Sequence, residues 1–124
     1  MLIRHFTELD VYQLSTDLAS RIFQASKGWP AEERYSLTGQ LRRAARSVGA
    51  NLAESWAKRR YEAHFVSKLT DADGENQETE HWLLTAHHDG YLSVSELDSL
   101  LELKRQLGAK LGKMIQNPGP FLLK

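Results

Sequence analysis

Apolar residues recur every three to four positions along most of the chain, and no stretch sustains strict two-residue alternation. That periodicity predicts helices and no sheet. A first helix is expected over about residues 8–26, carried by Val11, Leu14, Leu18, Ile22 and Phe23. Thr7 is its candidate N-cap, with Asp10 three residues on as a weak capping box. "KGWPAEER" then breaks the pattern: Gly28 suits a helix end and Pro30 a new start. Trp29, in that connection, is placed to plug one end of the core. A second helix is expected over about 36–59, with Ser36 as N-cap. The third follows almost at once, about 61–88, with Phe65, Leu69, Ala72, Leu83 and Ala86 on one seam. Asn76 and Thr79 fall in the middle of that apolar seam. Gly90 ends the helix, and "SVSE" at 93–96 is a capping box for a fourth. Leu97, Leu100, Leu101, Leu107, Leu111, Met114 and Ile115 carry that helix until Pro118 stops it. "FLLK" forms a short apolar tail. Short connections imply antiparallel neighbours, so the expected fold is all-α, an antiparallel up-and-down four-helix bundle. The 124 residues form one domain.

The second helix carries more than the apolar stripe of Leu41, Ala44, Ala45, Val48, Leu52 and Trp56. Gln40, Arg43, Ser47, Asn51 and Glu54 make an equally regular polar stripe, centred roughly 120° from the first. A solvated face needs no such order. Polar groups at this spacing can bond to a facing helix, and the third helix offers Glu75 and Glu78. An Arg43–Glu78 pair would penalise the wrong register. Ala45, Gly49 and Ala53 form a line of small residues. A glycine inside a helix costs about 1 kcal/mol, which close approach of another helix would offset. Arg42, Arg46 and Arg60 share a third face.

Net charge is zero but unevenly spread. Residues 34–68 hold eight Lys/Arg against Glu54 and Glu62, residues 69–102 hold nine Asp/Glu and no Lys/Arg, and residues 103–124 hold five Lys/Arg and no acid. Neighbouring segments of opposite sign would attract within the bundle. The sharper alternative is that the basic part, Arg42, Arg46, Lys58, Arg59 and Arg60, faces an anionic partner.

Cysteine is absent, which excludes disulfides, thiol chemistry and cysteine-ligated zinc. No signal-peptide pattern and no membrane-length apolar run is seen, so a cytoplasmic protein without membrane contact is expected. Glu78 and His81 have Glu-x-x-His spacing, but a di-metal bundle needs a second such pair. His87, His88 and Asp89 are a weak chelating cluster at a helix end. No phosphate loop or nucleophile elbow occurs. No catalytic set, cofactor or resident metal is expected, and the chain reads as a non-enzyme.

"QLRRAARSVGANLAES" at 40–55, "ADGENQETE" about twenty residues later and then "GYLS" together resemble the bacterial four-helix-bundle proteins encoded by intervening sequences in 23S rRNA genes. They are also similar to the accessory variability determinants of diversity-generating retroelements. The resemblance runs from "FTELDVYQLSTDLA" at 6–19 to the fourth helix. Its most specific part is the pattern of Gln40, Arg43, Ser47, Asn51 and Glu54. Ala72, Gly74 and Glu78 match the family's third helix, while Glu75 stands for its usual serine, Thr79 for a leucine, and Ser55 for a glycine in the second helix. The resemblance implies a homopentamer around a central channel. It also implies a nucleic-acid-associated accessory role, with rRNA or other RNA or DNA as partner. The retroelement proteins are strongly basic, and this neutral chain departs from them. A protein-interaction scaffold is the alternative reading, motivated by the small-residue line and the apolar tail.

Overall fold

The computed structural model describes residues 2–124. Helices α1 (Asp10–Ala25), α2 (Leu37–Ala57), α3 (Glu62–His88) and α4 (Val94–Gln116) form an all-α, up-and-down bundle. Each helix packs against the next, and α4 closes the ring against α1. Single-turn 3₁₀ segments sit at Phe6–Glu8, Ala31–Glu33 and Gly119–Phe121.

The core is built from the expected seams. Leu18, Ile22, Leu41, Val48, Leu52, Phe65, Leu69, Leu83, Leu107 and Leu111 are fully buried. Each such side chain contributes roughly 1.5–3 kcal/mol on leaving water. Asn76 and Thr79 are buried with them. The Thr79 hydroxyl donates to the Glu75 carbonyl one turn back (2.8 Å), and the Asn76 amide donates across to the Lys104 carbonyl of α4 (3.3 Å). Gly108 permits that approach, since a Cβ there would lie 3.3 Å from the Asn76 amide nitrogen. Lys104 was not expected inside. Its ammonium is held by Gln77 (2.6 Å) and Glu80 (2.9 Å) of α3, which satisfies a charge that burial would otherwise penalise.

The helix ends follow local chemistry, with two departures. Ser93 and Glu96 form the expected capping box. Gly90, at φ +89°, ends α3: the Gly90 and Tyr91 amides donate back to the His87 and Ala86 carbonyls (3.0 and 2.8 Å). This left-handed turn is one that glycine adopts without strain. Thr7, however, does not cap α1. His5 caps the preceding 3₁₀ turn in a box with Glu8, the Thr7 side chain bonds the His5 ring, and α1 starts after an uncapped Leu9. Ser36 occupies the N-cap position of α2 without a side-chain bond. Glu33 takes over: it accepts from the Leu37 amide (3.4 Å) and from the Tyr91 hydroxyl (2.9 Å).

Two ends of the bundle result. At one, the α1–α2 connection meets the α3–α4 connection, with the half-buried Trp29 ring 5.6 Å from Tyr91. At the other, Phe121 of the tail packs toward Phe65 (6.3 Å between centroids), and the Leu123 amide donates to the Arg59 carbonyl (3.3 Å).

Candidate nucleic-acid interface

The polar stripe of α2 faces α3, and its two charged members are held there. The Arg43 guanidinium spans Glu75 (3.2 Å) and Glu78. The same Glu78 oxygen accepts from the Trp82 indole (3.2 Å), so its position is fixed from two sides. Three turns on, Glu54 pairs with Lys68 (2.8 Å), which also reaches Asp71 (3.5 Å). The Lys68 hydrogen bond holds the Glu54 carboxyl below its ordinary value, with Lys58 adding a weaker pull. Reciprocally, Glu54 raises Lys68. The two clamps run in opposite senses, cation on α2 at one and on α3 at the other. A shifted register would therefore break both pairs at once.

The uncharged members behave differently. Asn51 was expected to bond α3, but its amide donates to the Ser47 carbonyl of its own helix (2.9 Å). Asn51 and Gly74 line one shallow depression with Thr70 and Asp71. The facing helix thus offers no side chain at Gly74 for the amide to meet. Ser47 is half-buried and Gln40 exposed, and among the described residues neither side chain bonds α3.

The line of small residues faces α1. A Cβ on Gly49 would lie 3.3 Å from the Ser15 hydroxyl oxygen and 3.5 Å from the Tyr12 ring. Close approach inside the bundle therefore explains this glycine. Beside it, a groove of about 460 Å³ runs between α1 and α2, with Phe6 and Tyr12 at one end and Phe23 and Arg46 at the other.

The basic candidates divide into two groups. Around Phe23 stand Arg42 (4.6 Å from the ring centroid), Arg46 (5.4 Å) and Lys27 (5.1 Å). Arg42 is anchored by the Ser26 hydroxyl (2.8 Å) and the Phe23 carbonyl (3.5 Å). Among the described residues, no carboxylate pairs with any of the three. Lys27 was missed from sequence, because its membership depends on where α1 ends relative to α2. The second group lies at the α2–α3 turn, roughly 18 Å along α2 by helix rise from Arg46 to Lys58. Arg59 lies over the Trp56 ring (3.7 Å) and donates to the Trp56 carbonyl (2.7 Å). Burial lowers its pKa below the ordinary guanidinium value. Lys58 and Arg60 are exposed, and among the described residues neither makes an ion pair. Because α2 ends at Ala57, Arg60 does not share a helix face with Arg42 and Arg46. Between the groups, Ala50, Ala53 and Ala57 fall within an ~80° sector of α2 that includes both arginines.

Two histidines of α3 are engaged within the bundle. His81 makes an edge contact with Trp82 (4.7 Å), and His87 Nδ1 bonds the Leu92 carbonyl (2.9 Å). Glu78, the acid of the Glu-x-x-His spacing, is committed to Arg43 and Trp82.

Fold and clamps define a four-helix bundle whose second and third helices are locked by opposed ion pairs. The family model of the 23S rRNA-intervening sequence protein matches residues 7–113, and the chain belongs to that family. A crystal structure of a protein of unknown function from the S23 ribosomal protein family of Bacteroides thetaiotaomicron is similar to it. The two are 26% identical with a TM-score of 0.77, over 86% of this chain and 96% of that one. No curated protein matches the chain. No helix among the described residues is long and apolar enough to cross a membrane.

Proposed function

We propose that the protein is a non-enzymatic, oligomeric accessory protein of the cytoplasm that binds rRNA or another nucleic acid through the cationic surfaces of α2. One observation carries this reading: Lys27, Arg42 and Arg46 converge on Phe23 without a neutralising carboxylate. Mutual repulsion makes such a cluster unfavourable by itself, and the ring face offsets only about 0.5–1 kcal/mol per cation. A phosphate oxygen supplies the missing charge, and Arg42 is already oriented for it by Ser26. Elsewhere on α2 and α3, cations are paired internally, as Arg43 and Lys68 are. The distinction between committed and free cations is what separates a binding surface from bundle electrostatics. The family's name, which refers to 23S rRNA, supports RNA as the first ligand to test. Assembly into a homo-oligomer, a pentamer in the family reading, would repeat the cluster and steepen the salt dependence of binding.

Fluorescence anisotropy of a structured RNA titrated with the protein at low and moderate salt tests the proposal. Binding that weakens steeply with salt is expected; a flat signal at micromolar protein would end it. The α1–α2 groove supports a second reading, a scaffold that docks a partner protein with no nucleic acid. Purification from cells separates the two: a 260 to 280 nm absorbance ratio typical of bare protein, with a protein co-purifying, favours the scaffold.

A further inference from the structure

The α2–α3 turn has features that phosphate binding alone does not require. Tyr61 is 60% exposed, although a large aromatic ring gains by burial. Its backbone is extended (φ −121°, ψ 124°), which sets it outside both helical rods. His64, one turn into α3, meets it edge to face at 5.3 Å with 68° between the planes. That arrangement leaves ring surface open to solvent. Just before the pair in sequence stand Lys58 and Arg60, both exposed and, among the described residues, making no ion pair. Glu62 is the only acid in the segment 58–64. The turn is also stiff. Arg59 is fixed over Trp56, and its carbonyl receives the Leu123 amide from the tail, which brings the chain at Lys124 beside the same turn.

An exposed ring, braced by a second ring and preceded by two exposed cations on a rigid turn, fits an unpaired nucleotide. Bases inside a duplex present only their edges, whereas a single strand offers its flat faces for stacking. We propose that the α2–α3 turn is a single-stranded nucleic-acid site, in which Tyr61 stacks an unpaired base, His64 braces the Tyr61 ring, and Lys58 and Arg60 hold the adjoining phosphates. It rests on the nucleic-acid reading above and adds to it a strand preference that the Phe23 cluster alone would not give. The alanine track of α2 leaves a path free of bulky side chains between the two groups. A strand held at the turn can therefore continue toward Arg46.

The test uses the full chain and two fluorescein-labelled probes, a short oligoadenylate and the duplex it forms with oligouridylate. The wild type is expected to bind the single strand more tightly. Tyr61→Ala should weaken single-strand binding roughly ten-fold and leave duplex binding unchanged, while Tyr61→Phe, which keeps the ring, should bind as the wild type does. His64→Ala should give a smaller loss on the single strand only. Thermal melting by circular dichroism verifies that each variant is folded, as expected for exposed positions. Equal affinity for both probes, or single-strand binding by folded Tyr61→Ala equal to wild type, would overturn the site while leaving the general nucleic-acid reading in place. Failure of the wild type to bind either probe would overturn both.

Discussion

Arg43 and Glu78 offer the sharpest test of how α2 and α3 are held. The perturbation is a double-mutant cycle with Arg43→Met, which keeps the aliphatic stem, and Glu78→Gln, which keeps an oxygen for the Trp82 indole. Arg43 is about half exposed (48%), while Glu75 and Glu78 are 22% and 36% exposed. Partial exposure discounts the Coulomb attraction heavily, and exposed pairs measure about 0.2–1 kcal/mol. The carboxylate is pinned by Trp82, so less side-chain freedom is lost on pairing than at a free surface pair. The coupling energy should therefore fall in the upper part of that range, about 0.5–1 kcal/mol. Urea denaturation of the four proteins, at low salt and at 1 M salt, reads it directly. The screening length shrinks from about 10 Å at 0.1 M to about 3 Å at 1 M, so the coupling should drop by half or more. Arg43 retains Glu75 in the Glu78→Gln variant, and that single substitution should therefore cost less than Arg43→Met. A coupling of zero at low salt, or one that salt leaves untouched, would refute the clamp.

Other consequences are simpler. Gly39→Ala should destabilise the protein by about 1–3 kcal/mol, read as a lower urea midpoint, because its Cβ would sit 2.6 Å from the Arg34 carbonyl oxygen; the helix-propensity gain of about 1 kcal/mol does not compensate a backbone clash. Ser93→Ala should cost about 1 kcal/mol, since it removes the acceptor for the Glu96 amide (3.0 Å). Glu8, Glu54 and Glu96 all have carboxyls held below their ordinary value of 4.5, Glu8 and Glu96 chiefly by backbone amides and Glu54 by Lys68. For depressed carboxyls the contribution is complete above the unfolded value and is lost as pH falls through the folded ones. Stability should thus be level near neutrality and decline below about pH 4.5, and Glu96→Gln should flatten part of that decline in a pH series of thermal melts.

Much of the bundle was legible because its signals are local. The "SVSE" box, the Gly90 stop and the α3 seam depend on residues within one or two turns of each other, and each forms as its spacing predicts. The Arg43–Glu78 pair was readable because α2 and α3 are joined by a short turn, which leaves few registers to choose from. What escaped depends on geometry between distant segments. Ser36 has the right chemistry for a cap, yet Glu33 reaches the Leu37 amide first and is itself held by Tyr91 from the other connection. Asn51 has a regular place in the stripe, but Gly74 opposite it leaves the amide to its own helix. Lys104 looks like a surface residue until Gln77 and Glu80 are seen around it. That Arg42 is anchored beside Phe23 could not be read from spacing, because Ser26 reaches it from the end of α1 through a contact that the fold creates.

The central claim is that α2 and the end of α1 beside it carry two kinds of cation, those spent on the bundle and those left for an anionic ligand. The slope of log binding constant against log salt, measured with one structured RNA, separates them. Each lost phosphate contact reduces its magnitude by about 0.7–0.9. Replacing the exposed Lys27 and Arg46 by glutamine should reduce it by about 1.5, whereas Arg43→Gln should leave it unchanged while lowering stability. An equal loss from Arg43→Gln, or an unaltered slope in the Lys27/Arg46 variant, would contradict the claim.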